Sequence, residues 1–125
     1  MNKLIVPTLT LLLNLSALAA PSLVEVNGCT PSDYESVLEG EVKISVKNFQ
    51  FTPRCVKVRP GTRITIEGST MHPLQGNDDI NGLANPFRKE RASVSDETQV
   101  LTETGQYGYF CTRHGSMKGS ILVAE

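Results

Sequence analysis

Histidine is scarce in this 125-residue chain, which has only two, and tryptophan is absent. Two imidazoles leave no stock for a second histidine-rich metal site once one site has been assigned. An excess of positive charge is also missing: 12 Lys and Arg stand against 13 Asp and Glu, a net charge of −1. That balance excludes a nucleic-acid footprint, and Arg54, Lys57, Arg59 and Arg63 read instead as the solvated outer face of strands. After the first twenty residues no aliphatic run approaches a membrane span, and no segment carries a long amphipathic helix period. Repeats and low-complexity tracts are likewise lacking. A soluble, monomeric mature protein is therefore expected.

The amino-terminal stretch has its own pattern. Lys3 gives a positive start, Leu4 to Leu18 an apolar run, and Ala17-Leu18-Ala19 a small-x-small cleavage site. Pro7, Thr8, Thr10, Asn14 and Ser16 interrupt the run, and it is short for a bilayer anchor. Residues 1–19 are accordingly expected to be a cleaved secretory signal peptide, which places the protein in the periplasm or outside the cell. Removing Lys3 makes the mature part −2. It would have about 105 residues, the size of one domain, burying roughly 65% of its unfolded surface. Such a modest core gains from a covalent or metal staple.

Residues 20–40 read as an extension packed on the domain, turn-rich around Gly28, Cys29, Pro31 and Asp33, with a weak helical pattern over 32–38. From Glu41 the period changes to two. Val42, Ile44 and Val46 alternate with charged and polar residues, Phe49 and Phe51 continue the alternation, and Val56 and Val58 resume it after Pro53. Pro60-Gly61 makes a turn before Ile64 and Ile66. Residues 69–91, rich in Gly, Asn, Asp and Pro, predict irregular structure with short strand pieces, the kind of long loop that often carries function. Strands follow over 98–101, 107–111 and 119–123, with Tyr107, Tyr109 and Phe110 packing in the core on alternate faces. Short strands at regular spacing predict an all-β, two-sheet sandwich of about seven or eight strands, spanning 41–125.

The chemistry gathers in Tyr107-Gly-Tyr-Phe-Cys111-Thr-Arg-His114-Gly-Ser-Met117-Lys-Gly119. A thiol, an imidazole and a thioether leave one tight loop at intervals of three. Gly115 and Gly119 are expected to permit the bends that aim all three at a common centre, where a plain hairpin would send alternate side chains to opposite faces. His72, in Met71-His72-Pro73-Leu74, supplies the second imidazole. Two imidazoles and a thiolate with a weak thioether suit copper in both oxidation states, since soft sulfur favours Cu(I) while imidazole also accepts Cu(II). Zinc gains little from Met, and its structural sites use four strong donors. Taken singly, Cys111 would pass for a buried thiol and Met117 for core filling; their joint spacing with His114 sets them apart.

This pattern resembles the cupredoxins, the family of plastocyanin, azurin, pseudoazurin and amicyanin. The resemblance covers roughly 41–125. Its specific part is the Cys111-Thr-Arg-His114-Gly-Ser-Met117 loop, similar in its short spacing to amicyanin; Phe49-Gln-Phe51-Thr-Pro53 and Pro60-Gly61-Thr62 are weaker points of likeness. It implies a Greek-key β-sandwich of the cupredoxin type holding one type 1 copper ion, with His72, Cys111 and His114 as strong equatorial ligands and Met117 as the weak axial one. The family often has an Asn shortly before the first His. Gly68-Ser69-Thr70-Met71 stands there instead, and Ser69 or Thr70 is the candidate hydroxyl to link the ligand loops. The implied function is electron transport, not catalysis, by Cu(I)/Cu(II) cycling between redox partner proteins, such as a cytochrome or an oxidoreductase, docking near His114. Met71, Pro73, Leu74, Leu83, Pro86 and Phe87 are candidates for an apolar docking patch there, or for core packing. The alternative is an exported copper-binding module for delivery or storage. In an exported chain Cys29 and Cys55 are expected to form a disulfide bond, which leaves Cys111 as the thiolate; a free, oxidisable thiol is the other outcome.

Overall fold

Alternating β-branched residues can bury one face of a strand only against a second sheet, and the computed structural model, which describes residues 3–5, 7 and 22–125, has that arrangement. The cleaved signal expected at 1–19 lies, apart from 3–5 and 7, outside the described residues. Nine strands form among the described residues: β1 (Glu35–Leu38), β2 (Glu41–Lys47), β3 (Gln50–Thr52), β4 (Cys55–Val58), β5 (Thr62–Ile66), β6 (Leu74–Gly76), β7 (Glu97–Leu101), β8 (Gly105–Cys111) and β9 (Lys118–Val123). One sheet has the order β1-β4-β9-β8-β6 and the other β3-β2-β5-β7. Only β2–β3 and β8–β9 join neighbours in sequence within a sheet; every other connection crosses the sandwich, and the β1–β4, β4–β9 and β2–β5 pairs are parallel.

The core lies between the sheets. Val42 and Ile44 from β2, Ile64 and Ile66 from β5 and Leu101 from β7 face Val56, Val58, Tyr107, Tyr109, Ile121 and Val123 from the five-stranded sheet. Cys111 and Met117 belong to the same cluster, so the chemistry-bearing loop is rooted in the core. Tyr107 and Tyr109 are buried, while Phe110, on the other face of β8, is half-buried.

Two expectations change here. The weak helical pattern over 32–38 gives way to strand β1 at Glu35–Leu38, which pairs in parallel with β4 and accepts the Arg59 N–H at the Leu38 carbonyl. The outer edge of β4 offers unpaired backbone groups along its length, and satisfying them outweighs a short stretch of helix propensity. Phe49 does not continue the inward alternation: it sits in the β2–β3 turn and is 57% exposed, whereas Phe51 is buried.

The segment before β1 covers the outer face of β8. Gln106 holds Val24 through both its backbone groups, its Oε1 accepting from the Val24 N–H and its Nε2 donating to the Val24 carbonyl. The Asn27 amide donates to the carbonyls of Tyr109 and Gly119. A disulfide joins Cys29 to Cys55 across a separation of 26 residues, as expected for the pair, and Cys111 is free. Strand β8 is therefore covered on both faces, which explains why even Gln106 and Gly108 are buried. No helix among the described residues is long and apolar enough to cross a membrane.

Candidate metal centre

The three donor side chains come from two loops at one end of the sandwich. Cys111 ends β8, opposite Leu74 of β6, so the β6–β8 pairing sets the chain just after His72 directly beside the thiol. The loop from Cys111 to Met117 is closed by its own backbone: the Cys111 N–H donates to the Met117 carbonyl at 2.8 Å, and the Met117 N–H to the His114 carbonyl at 2.9 Å. These bonds fold 111–117 back on itself and turn Cys111 and His114 the same way.

Neither glycine acts as expected. The left-handed glycines are Gly28, Gly40, Gly61, Gly82 and Gly105, and neither Gly115 nor Gly119 is among them. Gly119 is required for space instead, because a Cβ there would collide with the Tyr109 hydroxyl and the Arg54 carbonyl. The bend comes from the loop's hydrogen bonds.

The donor atoms converge. His72 Nδ1 and His114 Nδ1 are 3.2 Å apart, and Cys111 Sγ lies 4.0 Å from the first and 3.7 Å from the second. A point equidistant from all three lies about 2.1 Å from each, the length of first-row metal bonds to imidazole nitrogen and close to those to thiolate sulfur. Two imidazole nitrogens and a sulfur aimed at one such point fit a soft metal ion without rearrangement, and they form the one group of three His, Cys, Asp or Glu donors with this geometry among the described residues. Cys111 is 1% exposed, while His72 and His114 are half-buried. Met117 is fully buried, its backbone bonded within the same loop.

The link between the loops differs from expectation. The Ser69 hydroxyl stays within its own turn, accepting the His72 N–H at 3.0 Å. The loops are joined by the Thr112 N–H donating to the Pro73 carbonyl at 2.9 Å and by the Arg113 guanidinium donating to the Thr70 carbonyl at 3.1 Å. Thr70 thus contributes its carbonyl, and the linking side chain is that of Arg113, between two expected ligands in the sequence.

The apolar patch shrinks as well. Leu74 and Phe87 are core residues. Leu83 abuts Gly105, about 20 Å of strand from Cys111, and Pro86 lines a surface hollow with Tyr107, about 13 Å of strand from it. Met71, 60% exposed, and half-buried Pro73 remain beside His72. The aromatic group at the site is Phe49, whose ring stands edge-on to His72 at 5.6 Å and to His114 at 5.2 Å.

Residues 38–124 match the family described as copper binding proteins of the plastocyanin/azurin family. No curated protein matches the chain in sequence. Solved structures share the fold at low identity. A reduced amicyanin variant is 18% identical, with a TM-score of 0.52 over 85% of this chain and 97% of that one. Pseudoazurin from Methylobacterium extorquens AM1 is 20% identical, with a TM-score of 0.53 over 68% and 76%. A copper-containing nitrite reductase from Thermus scotoductus SA-01 is 22% identical, with a TM-score of 0.54 over 68% of this chain; the match spans only 22% of the reductase.

Proposed function

The chain belongs to the plastocyanin/azurin family of copper-binding proteins, and from that premise we propose that it is an exported type 1 copper protein carrying single electrons between redox partners. His72, Cys111 and His114 would hold the ion as the strong donors, and Met117 would add a weak thioether. The observation that carries the proposal is the convergence of two Nδ1 atoms and one buried Sγ on a single centre at the edge of the core. Copper bound there supplies one-electron exchange, because thiolate and thioether suit Cu(I) and imidazole accepts both oxidation states.

The chain's own residues supply the rest. Cys111 and Met117 are both buried, so the thiolate would meet the ion on a side closed to water. The β6–β8 pairing and the cross-loop bonds of Thr112 and Arg113 hold the donors in one arrangement, favouring electron exchange with little rearrangement. His114, its ring half-buried, gives a bonded route from the centre to the surface, where exposed Met71 and Phe49 offer apolar contact to a redox protein such as a cytochrome or an oxidoreductase. Export is supported by the signal-like start and by the Cys29–Cys55 disulfide, a bond that persists in oxidising compartments.

Voltammetry of the copper-loaded protein tests the proposal. A single reversible one-electron wave is expected, with no oxygen or nitrite consumed in the presence of a reductant. Binding of Cu(I) alone, with no reversible wave, would replace the carrier with a delivery or storage module. Turnover of either substrate would make it an enzyme.

A further inference from the structure

The turn between β2 and β3 consists of two residues. Lys47 pairs with Gln50 and Val46 with Phe51, which leaves Asn48-Phe49 as the whole connection. Both are left-handed, with φ of 51° and 59°, as the twist of a two-residue hairpin demands. Asn suits its position. The second position of such a turn normally takes glycine, and a bulky side chain there is a true outlier.

Burial does not hold Phe49 in this conformation, since the residue is 57% exposed. What its ring meets is the pair of imidazoles, nearly perpendicular to both: 83° to His72 and 70° to His114. Phe49 reaches them from the four-stranded sheet, whereas His72 and His114 leave the loops flanking β6 and β8 of the other sheet. Each edge-to-face contact is individually favourable, and together they restrict rotation of both rings about the bond to Cβ.

From this we infer that Phe49 is a positioning residue of the metal centre: the hairpin tip accepts an unfavourable backbone conformation so that one ring braces and covers the two imidazoles. The sheets are thereby coupled across the open end of the sandwich at the centre. In consequence Phe49 orients the nitrogens before the ion arrives and slows its loss afterwards. The inference rests on the copper-binding reading of the site, deepening it by one residue.

The test compares wild type with Phe49→Gly and Phe49→Tyr. Glycine relieves the left-handed residue, so the metal-free Phe49→Gly protein is expected to melt at or above the wild-type temperature. Transfer of Cu(I) from Phe49→Gly to excess bicinchoninate is expected to be about three- to tenfold faster, the range that loss of an aromatic pair implies. Phe49→Tyr keeps the ring and should restore the wild-type transfer rate. A purely structural role would show the reverse, a lower melting temperature with unchanged copper transfer, and would overturn the inference. In the metal-free wild type, nuclear Overhauser contacts from the Phe49 ring to both imidazoles are expected. Their absence overturns the inference even in a protein that takes up copper, while their presence in a protein that takes up none would reject the carrier reading and leave the brace standing.

Discussion

At the scale of single residues, Cys111 carries the sharpest consequence. It is the free thiol, buried, and the sole sulfur in the converging triangle. Cys111→Ser is expected to abolish the intense visible band that thiolate-to-copper charge transfer gives the oxidised protein, at a cost to thermal stability of the metal-free form small beside that spectral loss. Met117→Leu keeps the volume and removes the soft sulfur. Copper should stay bound and the reduction potential should rise, because losing a donor disfavours the more highly charged ion; an unchanged potential in voltammetry would remove Met117 from the ligand set. The convergence of His72, Cys111 and His114 was legible in the sequence because thiol and imidazole are rare in this chain and two of the three leave one short loop. Phe49 and Arg113 were not. The role of Phe49 depends on a turn that leaves it outside the strand alternation, and that of Arg113 on which carbonyl the neighbouring loop turns outward.

Among the elements, the segment ahead of β1 shows where local pattern and tertiary context part. A stretch with helical leaning becomes an edge strand because β4 has open backbone groups and because the Cys29–Cys55 bond holds the segment beside it. Strands β2 and β5 could be read directly, since each buries alternate β-branched residues and leaves its other face more open. Strand β8 could not be read so simply: the amino-terminal segment packs on its second face, and a strand covered twice loses its polar alternation. The disulfide closes a loop of about 27 residues, worth about 3.5 kcal/mol in the chain-entropy account. Replacing Cys29 and Cys55 by serine should therefore lower the melting temperature by roughly 15–20 °C for a domain of this size, while the copper spectrum of the folded protein stays unchanged. Equal melting of the two forms in a thermal scan would show that Gln106 and Asn27 hold the segment unaided.

For the whole molecule, the two buried tyrosines of β8 set the alkaline limit. Burial, and then the charge of Glu103, pushes the Tyr107 phenol up to about 12, with its hydroxyl donating to the Glu103 carbonyl at 2.7 Å. Burial pushes Tyr109 up as well. A phenol raised on folding keeps its proton where the unfolded chain has released it. The stabilisation is therefore complete below pH 10 and is lost as the pH climbs toward about 12. Urea unfolding between pH 9 and 12 should show stability falling with pH, and Tyr107→Phe should flatten that slope. Asp33 acts in the opposite direction: the Thr30 N–H and then the Thr30 hydroxyl hold its carboxyl below the usual range, a small contribution present at neutral pH and lost on acidification.

The sandwich brings its free thiol and both imidazoles together at one edge of the core, the arrangement on which the proposed carrier role rests, and an electron paramagnetic resonance spectrum of the copper(II)-loaded protein tests it most directly. A single copper signal per chain is expected, with the small parallel hyperfine splitting that strong thiolate covalency produces. A spectrum with the wide splitting of copper held by nitrogen and oxygen alone would contradict it, because Cys111 would then stand outside the centre.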